Sequence, residues 1–383
     1  MTRQPDWNPK STEVLYDQRA AYDKMRKTCP VAYSEMLGWS LFRHQDIRRV
    51  LDDHETFSSN VSRHISVPNG MDPPEHTKFR KLIEPLFRPE PMAAFEPKCR
   101  AITGTLFDSL LARTNVEFLF EFARPFAVRT QCESVGWHES MYEPLRDWTR
   151  KNQEATFAQN RNEMKRIAEE FEGFVAELLD QRRRNPTTDE HDVITSLLEA
   201  RVDDRPLRNE EIVSILRNWT VGEIGTISAA IGILAHALAT HLDVQERLRE
   251  QPDLIPSAIE EILRAHGPLV ANRRVTTCPV TMGGRKIEAG ERISMNWISA
   301  NRDERVFDDA DQIRLDRDPS ANLLWGAGIH GCPGAPLARL EMRVAIEELL
   351  KRTTQIKLNE RYPATLATFP ASGFATLPVT LRR

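Results

Sequence analysis

The sequence has 383 residues, 40% hydrophobic and 28% charged, with a formal net charge of −4. That balance excludes a disordered chain and lacks the basic excess of nucleic-acid binders, so no nucleic-acid partner is expected. Five cysteines, Cys29, Cys99, Cys132, Cys278 and Cys332, are scattered singly. This excludes CxxC-type zinc or iron–sulfur spacing. As an odd count behind a polar N-terminus, it points to free thiols and a cytoplasmic setting.

Along the chain, "VAYSEMLGWSLF" alternates as strands and "HQDIRRVLDDH" shows helical spacing of apolar residues. Residues 66–74, "SVPNGMDPP", read as a loop. "DPPEHTKFR" then reads as a helix start with Asp72 as N-cap and Pro73 at the first helical position. His76 and Arg80, four apart, share one face of that helix; by itself this is the pattern of a solvated helix start. "MKRIAEEFEGFVAELLDQRRR" is amphipathic, and residues 184–192 form a second loop. "NEEIVSILRNW" opens another helix, followed by a stretch from Ile224 to Leu242 with no formally charged residue. Its length approaches that of a membrane span, but Thr226, Ser228, His236 and Thr240 fit a central core helix better, and no membrane partner is expected. "EEILR" places Glu261 and Arg264 on one helix face, a pair worth little if exposed. "RRVTTCPVTMGGRKIEAGERISMNW" reads as short strands with "GG" and "EAGE" as hairpin turns. With no repeat and no Pro/Gly/Ser linker, residues 1–383 read as a single, mostly α unit with a small β portion.

The informative stretch is "WGAGIHGCPG", residues 325–334. Cys332 precedes an amphipathic helix with Pro333 and Pro336 about its first turn, where free backbone N–H groups and the helix dipole favour a thiolate. Gly326, Gly328, Gly331 and Gly334 permit tight backbone and the approach of a flat group. A soft metal ligand, a nucleophile and an inert thiol are the alternatives. A nucleophile needs an oriented base; His330 is near in sequence, but no third group accompanies it, and an inert thiol leaves the glycines unexplained.

"WGAGIHGCPGAPLARLEMR" resembles the cysteine-ligand loop of the cytochrome P450 family, with Trp325 where that family usually has Phe. The resemblance implies the cytochrome P450 fold, with haem b (iron protoporphyrin IX) between the long central helix and the helix after the cysteine loop. It implies Cys332 as axial ligand of the haem iron and His76, Arg80, Arg274 and His330 as contacts to the haem propionates. It also implies a structural trio of Glu261, Arg264 and Arg317, the last from "IRLDRDP". In the oxygen-activating segment, here "GEIGTI", Thr226 keeps the family's threonine position. The preceding acid is replaced by Gly225, and Glu223 stands three residues before Thr226. Sharing a helix face, Glu223 and Thr226 would relay protons; alternatively, Glu223 only anchors the helix.

Several stretches look most like the haem domain of the self-sufficient class, which carries a fused flavin and iron–sulfur reductase; no reductase motif lies in this sequence. The implied activity is insertion of one atom of O2 into a small or medium apolar or aromatic substrate, by hydroxylation or dealkylation. Electrons would come from a ferredoxin-type donor docking at Arg339 and Arg343. A hydrogen-peroxide-driven peroxygenase and a non-catalytic haem sensor are the rival readings. Residues 66–71, 268–272 and 370–374 are the candidate substrate-facing segments, with the start of the central helix.

Overall fold

The computed structural model describes residues 3–62 and 64–383. Strands β1 (Val31–Ser34) and β2 (Gly38–Leu41) form an antiparallel hairpin, as their alternation implies. They join β3 (Phe57–Ser58), β4 (Ala271–Thr276) and β7 (Arg292–Asn296) in a sheet of order β1-β2-β7-β4-β3. β5 (Val280–Met282) and β6 (Arg285–Ile287) make a separate hairpin across Gly283 and Gly284, both with positive φ. "EAGE" departs from expectation: it leads from β6 to β7, yet β7 pairs antiparallel with β4 and parallel with β2. Burial of Ile293 and Met295 on the larger sheet outweighs the local hairpin.

The helices that frame the site are α1 (Glu75–Ile83), α2 (Pro89–Leu110), α3 (Arg124–Val135), α4 (Tyr142–Ala158), α5 (Arg161–Arg184), α6 (Asn209–Thr240), α7 (Ile255–Ala265) and α8 (Ala335–Arg352). α1 begins later than expected. Asp72 does not cap it: its carboxylate accepts from the Ser58 hydroxyl and the Ser59 N–H (2.9 Å), tying the approach to α1 onto β3. These partners engage both carboxylate oxygens, and Pro74 sits at the cap instead.

α6 is the axis of the molecule and packs against α3, α4, α5, α7 and α8. Among the described residues it is the one helix long and apolar enough to cross a membrane, but 67% of its apolar window is buried inside the protein. A helix apolar on all sides is stable in water when other helices surround it. The surround is broken along one stripe: Val221, Gly222, Gly225, Thr226 and Ala229 are exposed or only partly covered. Their spacing puts them on one face of the helix.

Candidate active site

The cysteine loop is held by backbone contacts. The Cys332 N–H donates to the Trp325 carbonyl at 2.8 Å, and α8 starts three residues after the sulfur. Two of the four glycines have left-handed backbone, Gly326 at φ +69° and Gly328 at φ +64°, and a side chain at Gly328 would collide with the Leu51 carbonyl. These two are thus required by the turn and by the close approach of the 44–52 helix, rather than by room for a flat ligand. The Cys332 side chain is accessible along one direction yet otherwise enclosed by protein atoms. Burial pushes its thiol up; hydrogen bonds from the Gly334 and Ala335 N–H groups and the charges of Arg80 and Arg339 pull it back by less. The helix end thus offsets part of the desolvation of the sulfur. A coordinated metal ion ionises such a thiol outright.

Around this loop the structure gathers His76, Arg80, Arg274 and His330. The His76 and His330 rings lie 4.3 Å apart, and His330 Nε2 pairs with the Ser59 hydroxyl at 2.8 Å. Arg80 donates to the Gly331 carbonyl at 2.7 Å and to Glu84 at 2.8 Å, clamping α1 to the cysteine loop. Arg274 is buried, and its side chain donates to the Arg273 carbonyl at 2.8 Å. Burial drives Arg274 down to about 10, offset in part by Asp72. Burial, then Arg274 and then His76, drive His330 down to about 3. His76 Nε2 is buried without a partner. Among the described residues, the acid that offsets both Arg274 and His330 is Asp72, whose oxygens already serve Ser58 and Ser59. A donor set this rich and this poorly matched fits a bound group with carboxylates of its own, as haem has.

Behind the loop, Glu261 accepts from Arg264 at 2.7 and 3.0 Å and from Arg317 at 2.9 Å. It also takes the Arg314 N–H at 3.0 Å. Arg264, 1% exposed, spends its remaining donors on the Asn301, Ala310 and Gln312 carbonyls. Trp325 finds the partner its indole needs in Glu260, at 2.8 and 2.9 Å. Arg339 bonds the same carboxylate at 2.7 Å and stacks over the Trp325 ring at 4.8 Å. Arg343 is held by Glu96 at 2.6 Å and Glu347 at 3.0 Å. The basic patch expected from Arg339 and Arg343 is therefore paired with carboxylates, Glu260 and Glu96 from helices distant in sequence and Glu347 from α8 itself.

On the central helix, the Thr226 hydroxyl donates to the Gly222 carbonyl, and Thr226 lies on the accessible stripe. Glu223 does not accompany it. Its side chain is buried and accepts from Trp219 Nε1. The shared face expected for Glu223 and Thr226 is not formed, because three residues of α-helix swing Glu223 past the edge of the stripe into the α6–α8 contact. Gly225, at the position before Thr226, leaves room for the Gln153 amide of α4, 3.1 Å from where its Cβ would stand.

Sequence reasoning missed three residues here: Ser59, Glu260 and Glu341. Nothing local marks Ser59 or Glu260. Glu341 was detectable as an acid on the apolar face of "PLARLEMRVAIEELL".

A profile described as cytochrome P450 matches residues 152–378. Putative cytochrome P450 YjiB of Bacillus subtilis is 32% identical, over 90% of this chain and 89% of its own. The mycinamicin IV hydroxylase/epoxidase of Micromonospora griseorubida is also 32% identical, over 88% of each chain. Among solved structures, CYP109Q5 from Chondromyces apiculatus superposes with a TM-score of 0.87 at 29% identity, covering 98% of this chain and 97% of that one. CYP109E1 from Bacillus megaterium, in complex with corticosterone, gives 0.85 at 28% identity, covering 96% and 99%. These relatives are named as a putative cytochrome P450, a hydroxylase/epoxidase and CYP109 proteins. With the fold and the family agreeing over nearly the whole chain, the protein is a cytochrome P450, a member of the haem-iron monooxygenases.

Proposed function

We propose that Cys332 is the axial thiolate of the haem iron and that His76, Arg80, Arg274 and His330 hold the propionates. The supporting observation is the cluster of four donors around the cysteine loop: Arg80 is paired with Glu84, while Arg274 and His330 have only Asp72 to offset them, which Ser58 and Ser59 already engage, and His76 Nε2 has no partner. When bound, a thiolate-ligated haem supplies cleavage of the O–O bond. The chain's part is to seat it, to exclude water from buried charge and to hold the Thr226 hydroxyl on the accessible stripe of α6. The reaction is RH + O2 + 2e− + 2H+ giving ROH + H2O, with Thr226 as the proton-donating hydroxyl.

The substrate in this proposal is apolar or aromatic, of small to medium size. Val221 and Leu269 support this, being apolar side chains 43% and 40% exposed. The segment at 66–71 is fastened over α6 by Ser214 and Asn218, at 2.8 Å to the Val67 N–H and 2.9 Å to its carbonyl. The corticosterone held by a neighbour supports a polycyclic ligand as the upper end of that range. Electrons come from a ferredoxin-type donor on the cysteine side. With Arg339 and Arg343 paired internally, exposed Lys81 and Arg88 better support its docking there, beside residues that touch the loop.

The ferrous carbon-monoxide difference spectrum tests the assignment. Wild type should show the strongly red-shifted Soret band of thiolate ligation, and Cys332→Ala should lose it. An unchanged band in Cys332→Ala would falsify the assignment. One observation favours a second reading, a peroxygenase taking RH + H2O2 to ROH + H2O: with Gly225 in place and Glu223 turned away, no carboxylate stands beside Thr226 on the stripe. Turnover with peroxide that outpaces turnover with a ferredoxin and its reductase would select that reading.

A further inference from the structure

Glycine is, after proline, the least favourable residue inside an α-helix, and α6 carries two of them just before Thr226. At Gly222 an added Cβ would meet nothing within 4 Å. At Gly225 it would stand 3.1 Å from the side-chain amide nitrogen of Gln153, which reaches across from α4. A side chain at 225 would force that amide to give way, so the amide occupies the room the missing side chain leaves. Position 225 is also where the family resemblance expects an acid.

The charged neighbours of Gln153 on α4 are all engaged. Arg150 binds Asp147 and Glu154, and Lys151 binds Asp147 and Glu170. The Gln153 amide forms no hydrogen bond with the described residues, and its side chain is exposed. Beside it, the Thr226 hydroxyl donates to the Gly222 carbonyl, while Glu223 is turned away toward Trp219. The proposed reaction consumes protons at each turnover. A hydroxyl that hands one over must take one back, and a backbone carbonyl has none to give. A side-chain amide both donates and accepts, so it can hold a water against that hydroxyl.

We propose that Gln153 is a positioning residue: it stands in, from α4, for the side chain missing at position 225, and holds the water that returns a proton to Thr226. The inference rests on the reading of Thr226 as the proton-donating hydroxyl. In this step Thr226 gives up its proton and takes one from the water. The hydroxide so formed recovers a proton from solvent, which reaches the exposed flank of Gln153. Gln153 itself is unchanged throughout.

Crystal structures of the haem-loaded protein give a test that needs no turnover. Wild type should hold an ordered water within about 3.2 Å of both the Gln153 amide and the Thr226 hydroxyl. In Gln153→Leu that water should be gone. A wild-type structure without it overturns the proposal, and so does a water that persists in the variant. Turnover of ethylbenzene, used as the probe with a ferredoxin and its reductase, gives the second readout. In Gln153→Leu, product per electron pair should fall about fivefold, with the loss recovered as hydrogen peroxide and the ferrous carbon-monoxide band unmoved. Adding Gly225→Asp to Gln153→Leu should restore the coupling, because the polar side chain then comes from position 225 itself. A purely structural Gln153 gives no such rescue, and its failure overturns the proposal. Thr226→Ala separates the two claims. If Thr226→Ala couples like wild type, the reading of Thr226 has failed. If it uncouples while Gln153→Leu does not, that reading stands and the role of Gln153 is wrong.

Discussion

On the cysteine side of the molecule, nearly every polar atom has a protein partner. Glu261 accepts from Arg264, from Arg317 and from the Arg314 N–H, while Arg264 fills its remaining donors with backbone carbonyls. On the other side, the stripe of α6 from Val221 to Ala229 carries one hydroxyl, Thr226, bonded only to carbonyls of its own helix. The first region is a mount, whose value lies in having one geometry. The second is a working surface, where side chains must remain free to meet a substrate and hand over a proton. The donors His76, Arg274 and His330 stand between the two and are matched by neither.

The comparison breaks most visibly if the mount loses its central acid. Glu261→Ala leaves the guanidinium groups of Arg264 and Arg317 buried without their carboxylate. Removing one member of a buried ion pair costs about 3–5 kcal/mol. Denaturant unfolding of the haem-loaded variant should show that loss together with poor haem retention; a stability within ~1 kcal/mol of wild type would show that the backbone carbonyls suffice.

The working surface should respond in the opposite way. Thr226→Ala removes no packing of consequence, so unfolding should change by less than about 1 kcal/mol. Product formed per electron pair should fall by roughly tenfold or more, with the missing equivalents recovered as hydrogen peroxide. Equal coupling in wild type and variant would place the proton donor elsewhere, and the Gln153 amide above Gly225 would be the next group to remove.

What was legible in the sequence follows the same division. Short-range patterns were enough for the helix faces carrying His76 with Arg80 and Glu261 with Arg264, and for the core nature of α6. Arg317 and the gathering of the four donors came from the resemblance, since no spacing rule connects loops so far apart. The failures share one cause. Asp72, Arg339 and Arg343 each had a plausible local role, and each was taken instead by a partner outside its own helix: Ser58 and Ser59, Glu260, and Glu96 respectively. A charged side chain that becomes buried goes to whichever group desolvates with it, and sequence periodicity carries no information about that.

The smallest effect concerns Trp325, the departure from the family's usual Phe at the head of the cysteine loop. Its indole N–H points to Glu260 rather than to the Cys332 sulfur, whose hydrogen bonds come from the Gly334 and Ala335 N–H groups. Trp325→Phe therefore removes a charge-assisted bond worth about 1.5–3 kcal/mol at most. Glu260 keeps Arg339 as a partner, and the guanidinium keeps an aromatic face beneath it, so the net loss should be about 1 kcal/mol. The hydrogen bonds to sulfur are untouched, so the ferrous carbon-monoxide band should stay where it is in wild type. A shifted band would show that the indole tunes the thiolate through the loop backbone. In that case the mount takes part in the electronics of the site as well as in its geometry.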